Sequence, residues 1–232
     1  MDAIPPPTRQ DMVAMLVTEH FTLQGARSAT ISDANGRTSF FLGTMSGVVV
    51  ALAFVAQISG MGDAFFVFAM VLLPTLLFIG LATFERLLQL GIENIRCVVA
   101  INRIRHYYLE VAPELRSHFT LSPNDDTQGI LMSLGSMRGN VRAWDIFVTN
   151  AGMAAVVNAI VCGVVGALIA WQLRLGIVTT AVVGLIAGIG LLAVLVTYLA
   201  RTWQTSARVI GTRFPTRGEE LDLSHLAPSA KE

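Results

Sequence analysis

Four uninterrupted apolar runs dominate the chain, at Phe40 to Ser59, Ala64 to Phe84, Ile146 to Gln172 and Leu175 to Ala200. Each reaches the roughly 20 residues a helix needs to cross a hydrocarbon core about 30 Å thick, and no charged side chain interrupts any of them. The links Gly60 to Asp63 and Leu173-Arg174 are very short, which predicts two transmembrane hairpins in an all-α, polytopic membrane protein. Nothing between Phe84 and Ala112 stops a helix, so the second span is expected to continue into a cytoplasmic helical segment.

That extension has its own pattern. Arg86, Gln89, Glu93, Arg96, Arg103 and Glu110 recur at helical spacing as one solvated stripe, with Glu93 and Arg96 placed for an ion pair. Leu87, Leu90, Asn94, Cys97, Ile101, Ile104, Tyr108 and Val111 keep a heptad rhythm, and Leu88, Ile92, Ile95 and Val99 make a second apolar stripe beside it. Two apolar stripes on a helix in water require cover. The candidates are the amphipathic segment Asp11 to Gln24, the segment before the third span, and other copies of the same helix. Asn94, Ile101, Ile104 and Tyr108 are therefore candidate assembly residues, with Asn94 able to set register if identical helices meet.

Upstream, Met1 to Pro7 reads as an extended tail, and Thr8 with Asp11 resembles a capping box that opens the Asp11 to Gln24 helix. Ser28 to Ser39, containing Asn35-Gly36, reads as a turn-containing connection. Downstream, Pro113 ends the extension and starts a short helix through Phe119. Ser122 to Asp126 is a turn or loop, and Leu131 to Asn140 is irregular or weakly helical. The fourth span is expected to reach about Ile210, and the polar residues beyond Gly211 and Pro215 to form a disordered tail. The layout is thus an N-terminal tail and amphipathic helix over 1–39, a first hairpin over 40–85, a cytoplasmic helical segment over 86–144, a second hairpin over 145–200 and a C-terminal tail over 201–232.

The basic residues orient this layout. Of the 16 Lys and Arg, only Arg174 lies in an external link. The other 15 precede the first span, separate the second from the third, or follow the fourth, which predicts a plasma (inner) membrane protein with both termini cytoplasmic. Trp144, Trp171 and Trp203 fall at predicted membrane boundaries, as amphipathic rings should.

Composition agrees with the pattern. Of 232 residues, 53% are apolar and only 14% charged, where a soluble domain would be nearer a quarter charged. The formal net charge is zero, which removes a global case for nucleic-acid binding. No apolar run precedes Phe40, so the first span itself is expected to direct insertion. Cys97 and Cys162 lack both disulfide-scaffold density and zinc-site spacing, and read as small buried hydrophobes.

Within the spans, small residues recur every fourth position: Gly43, Gly47 and Ala51; Ala151 to Ala167 through Gly163; Gly176, Thr180, Gly184 and Gly188. Such faces let backbones approach closely in lipid, so Gly43, Gly47, Gly163, Gly184 and Gly188 are candidate packing positions in a tight bundle or a homo-oligomer. No ionisable group lies in mid-span. Gln57, Asn150 and Asn158 are the candidate pore or interhelical polar residues, and Pro74 is a candidate hinge because its ring removes a helical hydrogen bond.

Enzyme chemistry finds no constellation here. His20, His106, His118 and His225 are scattered, without metal-ligand spacing, a nucleophile elbow or a phosphate-cradling loop. The basic residues interleaved with Tyr107-Tyr108 hint at a nucleotide or lipid headgroup, although topology determinants beside anionic lipid explain them more plainly. The sequence therefore predicts a non-enzymatic membrane protein with no cofactor or metal. Its expected partners are the bilayer, further copies of itself and a cytoplasmic protein at the helical surface. The alternative is an ion channel or small pore gated by a cytoplasmic signal, in which copies enclose the path.

Overall fold

The computed structural model describes residues 7–135 and 143–216, and every regular element among them is helical. Helix α1 is Arg9–Ser59 and α2 is Asp63–Val111. A 3-10 turn at Pro113–His118 and short helices α3, Thr127–Ser133, and α4, Ala143–Val148, lead to α5, Asn150–Gln172, and α6, Ile177–Ile210. Of these, α1, α2, α5 and α6 are long and apolar enough to cross a membrane. The expectations for the first residues, for 136–140 and for the tail from 217 lie outside the described residues.

Helix α1 starts where the sequence predicts. The Thr8 N–H donates to Asp11 Oδ2 at 2.9 Å and the Asp11 N–H to Thr8 Oγ1 at 3.2 Å, so each satisfies an end of the other's backbone. The Thr8 hydroxyl and N–H together hold the Asp11 carboxyl below its ordinary value. The expected connection at Ser28 to Ser39 is not a turn; the helix runs through it. Gly36 costs about 1 kcal/mol relative to alanine there, but tertiary contacts decide the outcome. Asp33 bonds Arg37 at 2.9 Å and lies 3.6 Å from Arg86, Asn35 accepts from Asn150 at 3.1 Å, and Thr30 and Phe41 are buried.

The third apolar run also differs from its expectation, because it is two helices. Thr149 adopts an extended conformation between α4 and α5, accepts the Gly152 N–H at 3.0 Å and donates to the Ile146 carbonyl at 2.7 Å. Gly152 is required at the joint, since a Cβ there would collide with the Ile146 backbone. Helix α2 continues through Pro74, whose ring is exposed.

The chain forms two compact units. The first comprises residues up to 27, 95–140 and from 210 onward; the second comprises 28–94 and 141–209. In the second, Phe41, Leu73, Leu76, Phe84, Leu87, Leu88, Ala155 and Leu199 form a shared apolar core. Helices α5 and α6 run antiparallel at close approach, with Gly163 opposite Gly184 and Ala159 opposite Gly188. A Cβ on Gly163 would lie 2.9 Å from the Gly184 carbonyl oxygen, and one on Gly188 2.9 Å from that of Ala159. Gly43 and Gly47 are different: nothing lies within 4 Å of a Cβ built on either.

Asn158 is fully buried among three helices. Its Nδ2 donates to the Ala154 carbonyl at 2.8 Å, while Oδ1 has no hydrogen-bond partner and points at the Cα of Gly80, beside the Phe41 ring. Only glycine at position 80 admits this amide, and a Cα–H directed at Oδ1 is its weak substitute for a donor.

Each unit contains one cysteine that is in no disulfide, Cys97 buried in the first and Cys162 half-buried in the second. The Cys162 thiol approaches the Ala187 carbonyl at 3.8 Å.

Candidate functional site

The first unit is built around polar groups placed inside it by α2. Asn102, on the same helical stripe as Val99, is fully buried. Its Nδ2 donates to the carbonyls of Asn124 at 2.8 Å and Gly129 at 3.4 Å, and its Oδ1 accepts from Ser133 Oγ at 3.0 Å and Arg105 Nη1 at 2.9 Å. All four capacities of the amide are used, so it fixes the loop 122–126 and α3 against α2. Gly129 is small because the Asn124 backbone passes over it.

Arg103 points to the other side of that loop. Its Nε donates to Asp125 Oδ2 at 2.7 Å, and its Nη2 donates to the carbonyls of Ile210 at 3.1 Å and Gly211 at 2.7 Å. A cation thus satisfies orphan carbonyls at the C-terminus of α6, and Gly211 supplies the left-handed turn with φ of 62°. Asp125 also accepts the N–H groups of Arg213 at 3.0 Å and Phe214 at 2.7 Å. Burial alone would raise this carboxyl; the hydrogen bonds from Phe214, Arg103 and Arg213 outweigh burial and hold it below its ordinary value. Asp126 caps α3 through the Gly129 N–H at 2.8 Å and holds Thr216 through two bonds of 2.9 Å. The Phe214 ring stacks on His106 with centroids 3.9 Å apart. Residues 211–216, expected to begin a disordered tail, are therefore clamped.

A second cluster lies between α1 and α2. His20 stacks on Tyr108 at 6.1 Å, and Gln24 Nε2 is 3.4 Å from His20 Nε2. Arg105 is buried, and among the described residues no carboxylate lies within 4 Å of its guanidinium. Burial first, and then the charge of Arg27, oppose its positive charge. Burial and the Arg105 charge likewise lower the His20 pKa, and burial raises that of Tyr108. His20 Nδ1 and Tyr108 Oη are closed to water and have no hydrogen-bond partner.

The sequence-derived candidates fall in separate places. Ile101 and Ile104 are buried inside the first unit, Tyr108 is half-buried there, and Asn94 is half-buried in the second unit. Gln57 is exposed, Asn150 contacts Asn35, and Asn158 faces Gly80, so no two of these polar residues bond each other. Glu93 and Arg96 are exposed and, among the described residues, make no ion pair. Sequence reasoning missed Asn102, Arg105, Asp125, Asp126 and Gly80.

No family model, no curated protein and no solved structure matches the chain. Its four apolar helices are those of a membrane protein by length and composition.

Proposed function

We propose that this is a non-enzymatic, homo-oligomeric, multi-pass membrane protein in which α1 forms the seam between copies. In this reading the polar unit built on Asn102 and Asp125 is a cytoplasmic interaction module, oriented by the positive-inside distribution of Arg and Lys. One observation carries the proposal: the apolar half of α1 is the least covered span, with only 6% of it buried against 33% in α5. Its open face is also chemically unlike a lipid-facing surface. Phe40, Gly43, Ser46, Gly47, Val50, Phe54 and Gln57 are all exposed and share that face at helical spacing. Glycines and polar residues within one stripe favour helix contact over contact with acyl chains.

The assembly surface therefore shifts from the one the periodicity of α2 suggests. Ile101 and Ile104 already have cover from the chain itself, so the interaction offered by the polar unit is with other partners, through its exposed surface.

The expected result is specific to α1. Gly43→Ile with Gly47→Ile should convert the oligomer to monomer in mass-resolved chromatography of the detergent-solubilised protein. Because neither position meets another part of the chain, the unfolding midpoint should stay within about 0.5 kcal/mol of wild type. A wild-type chain that is strictly monomeric in both detergent and lipid would refute the proposal.

A second reading keeps the same seam. Gln57 and Ser46 lie on the open face, so copies arranged around α1 would present amide and hydroxyl groups to a shared axis, as a gated ion channel or small pore requires. Ion flux from liposomes separates the two readings. A Gln57→Leu variant should change that flux only if the axis conducts.

A further inference from the structure

Two adjacent carboxylates hold the chain that leaves α6. The Arg213 and Phe214 N–H groups lie on Asp125, and the Phe214 carbonyl accepts the Asp125 N–H at 3.1 Å. Thr216 is held by Asp126 alone, its N–H on Oδ2 and its hydroxyl on Oδ1, both at 2.9 Å. The same Oδ1 accepts the Gly129 N–H at 2.8 Å, so one atom both caps α3 and latches Thr216. Among the described residues Asp126 has no ion pair, and Arg103 is committed to Asp125 and to the carbonyls of Ile210 and Gly211. The latch therefore accepts a donor at Thr216 and opposes an anion there. The local sequence is Arg213-Phe214-Pro215-Thr216-Arg217, which sets an arginine three residues before a hydroxyl and another just after it. Arg213 is exposed and makes no ion pair among the described residues. A guanidinium at that distance from a hydroxyl is what a kinase with carboxylates in its substrate cleft selects.

We infer that Thr216 is a phosphorylation site whose modification opens this latch, an inference that rests on the reading of the polar unit as a cytoplasmic interaction module. A serine/threonine kinase directed to basic sequences supplies the chemistry, with a magnesium nucleoside triphosphate as donor. Thr216 Oγ1 bonds to the γ-phosphorus, and the bond from that phosphorus to the β,γ-bridging oxygen breaks. The nucleoside diphosphate leaves with the electron pair, and the hydroxyl proton passes to the kinase's base. The modified side chain has lost its donor and carries about two negative charges, placed against the Asp126 carboxylate. Like charges at a partly buried contact repel, so Thr216 leaves Asp126. The Arg213 and Phe214 contacts on Asp125 then lose the anchor on their far side. Opening frees the face of His106 on which the Phe214 ring stacks, and with it the Asp125 and Asp126 carboxylates. One covalent event thus changes the surface that the module offers to a partner.

The test incubates the full-length protein in neutral detergent with magnesium ATP and a kinase that selects arginine three residues before its target. Peptide mass spectrometry locates the product. Thr216 is expected to be modified, and faster in Asp125→Ala, where the latch is already loosened. Amide exchange at Phe214 should accelerate in the phosphorylated protein. Thr216→Val loses the same hydroxyl bond without adding charge, so phosphorylation should exceed its effect by about tenfold, the scale of a unit-charge repulsion at a partly buried contact. Thr216→Glu should fall between the two. Thr216 unmodified in both wild type and Asp125→Ala overturns the inference. So does phosphorylated protein that exchanges at Phe214 as the unmodified protein or as Thr216→Val does. Sidedness is read separately, with the same kinase added to sealed inside-out and right-side-out vesicles. Modification in inside-out vesicles alone is expected. Modification in right-side-out vesicles alone refutes the cytoplasmic placement, a failure distinct from a latch that stays closed in detergent.

Discussion

Replacing Gly80 with leucine should abolish the compact packing of the second unit, and Gly80→Ala should cost about 1–3 kcal/mol, the usual range for an added buried carbon. A Cβ at this position collides with the Asn158 amide and would lie 2.8 Å from the Phe41 ring carbon Cζ. The ring edge can give way, but the amide is held by its bond to Ala154 in the helix that carries it. The conflict is thus specific to Asn158, and Gly80→Ala combined with Asn158→Ala should recover part of the loss. A coupling of about 1 kcal/mol or more is expected in a double-mutant cycle read from detergent unfolding midpoints. Additive losses would show that Gly80 is small for some reason other than the amide.

Asp125→Ala should be the most damaging single substitution in the polar unit, by about 3 kcal/mol, the low end for breaking a buried ion pair, because Arg103 keeps some access to water. Three donors lose their acceptor at once: Arg103 Nε and the N–H groups of Arg213 and Phe214. Faster amide exchange at Arg213, Phe214 and Thr216 would report the release directly. Asp125→Asn should cost less, because its carbonyl oxygen can still accept. Acid should imitate the alanine variant. The folded pKa of Asp125 lies below the ordinary 3.8, so its stabilisation is complete above 3.8 and is lost as the pH falls through the folded value. Exchange at Phe214 should therefore be insensitive to pH-driven opening near neutrality and accelerate below about pH 4. An opening already under way at pH 6 would assign the clamp to a different group.

Periodicity revealed what was local and repetitive. The apolar runs, the capping box of Thr8 and Asp11, the unbroken course of α2 to Val111 and the end of α6 at Ile210 are all visible in spacing and punctuation alone. Failures came where a distant contact overrode a local signal. Asn35-Gly36 has the chemistry of a turn, yet Asp33 and Asn35 have partners on other helices and the segment is helical. Thr149 lies inside the apolar run Ile146 to Gln172, although a threonine three residues before Gly152 is also a helix start.

The candidate site was less legible because its polar groups find their partners in segments distant along the chain. Asn102 continues the stripe Leu88, Ile92, Ile95 and Val99, so its position already implied burial and a bonded amide. The heptad rhythm points instead to Asn94, which is half-buried. The partners of Asp125 could not be read at all, since Arg213 and Phe214 are 88 and 89 residues away in sequence. Spacing reveals which face a residue occupies; it does not say what meets that face.

The distribution of the two cysteines makes the molecule its own reporter. Because one thiol sits in each unit and no disulfide links them, alkylation kinetics can follow the two units separately in the unmodified chain. Modification of Cys97 requires the polar unit to open, so its rate measures how often that unit breathes. Cys162 supplies the same clock for the packed spans. Asp125→Ala should quicken the first clock and leave the second unchanged, whereas Gly80→Ala should do the reverse.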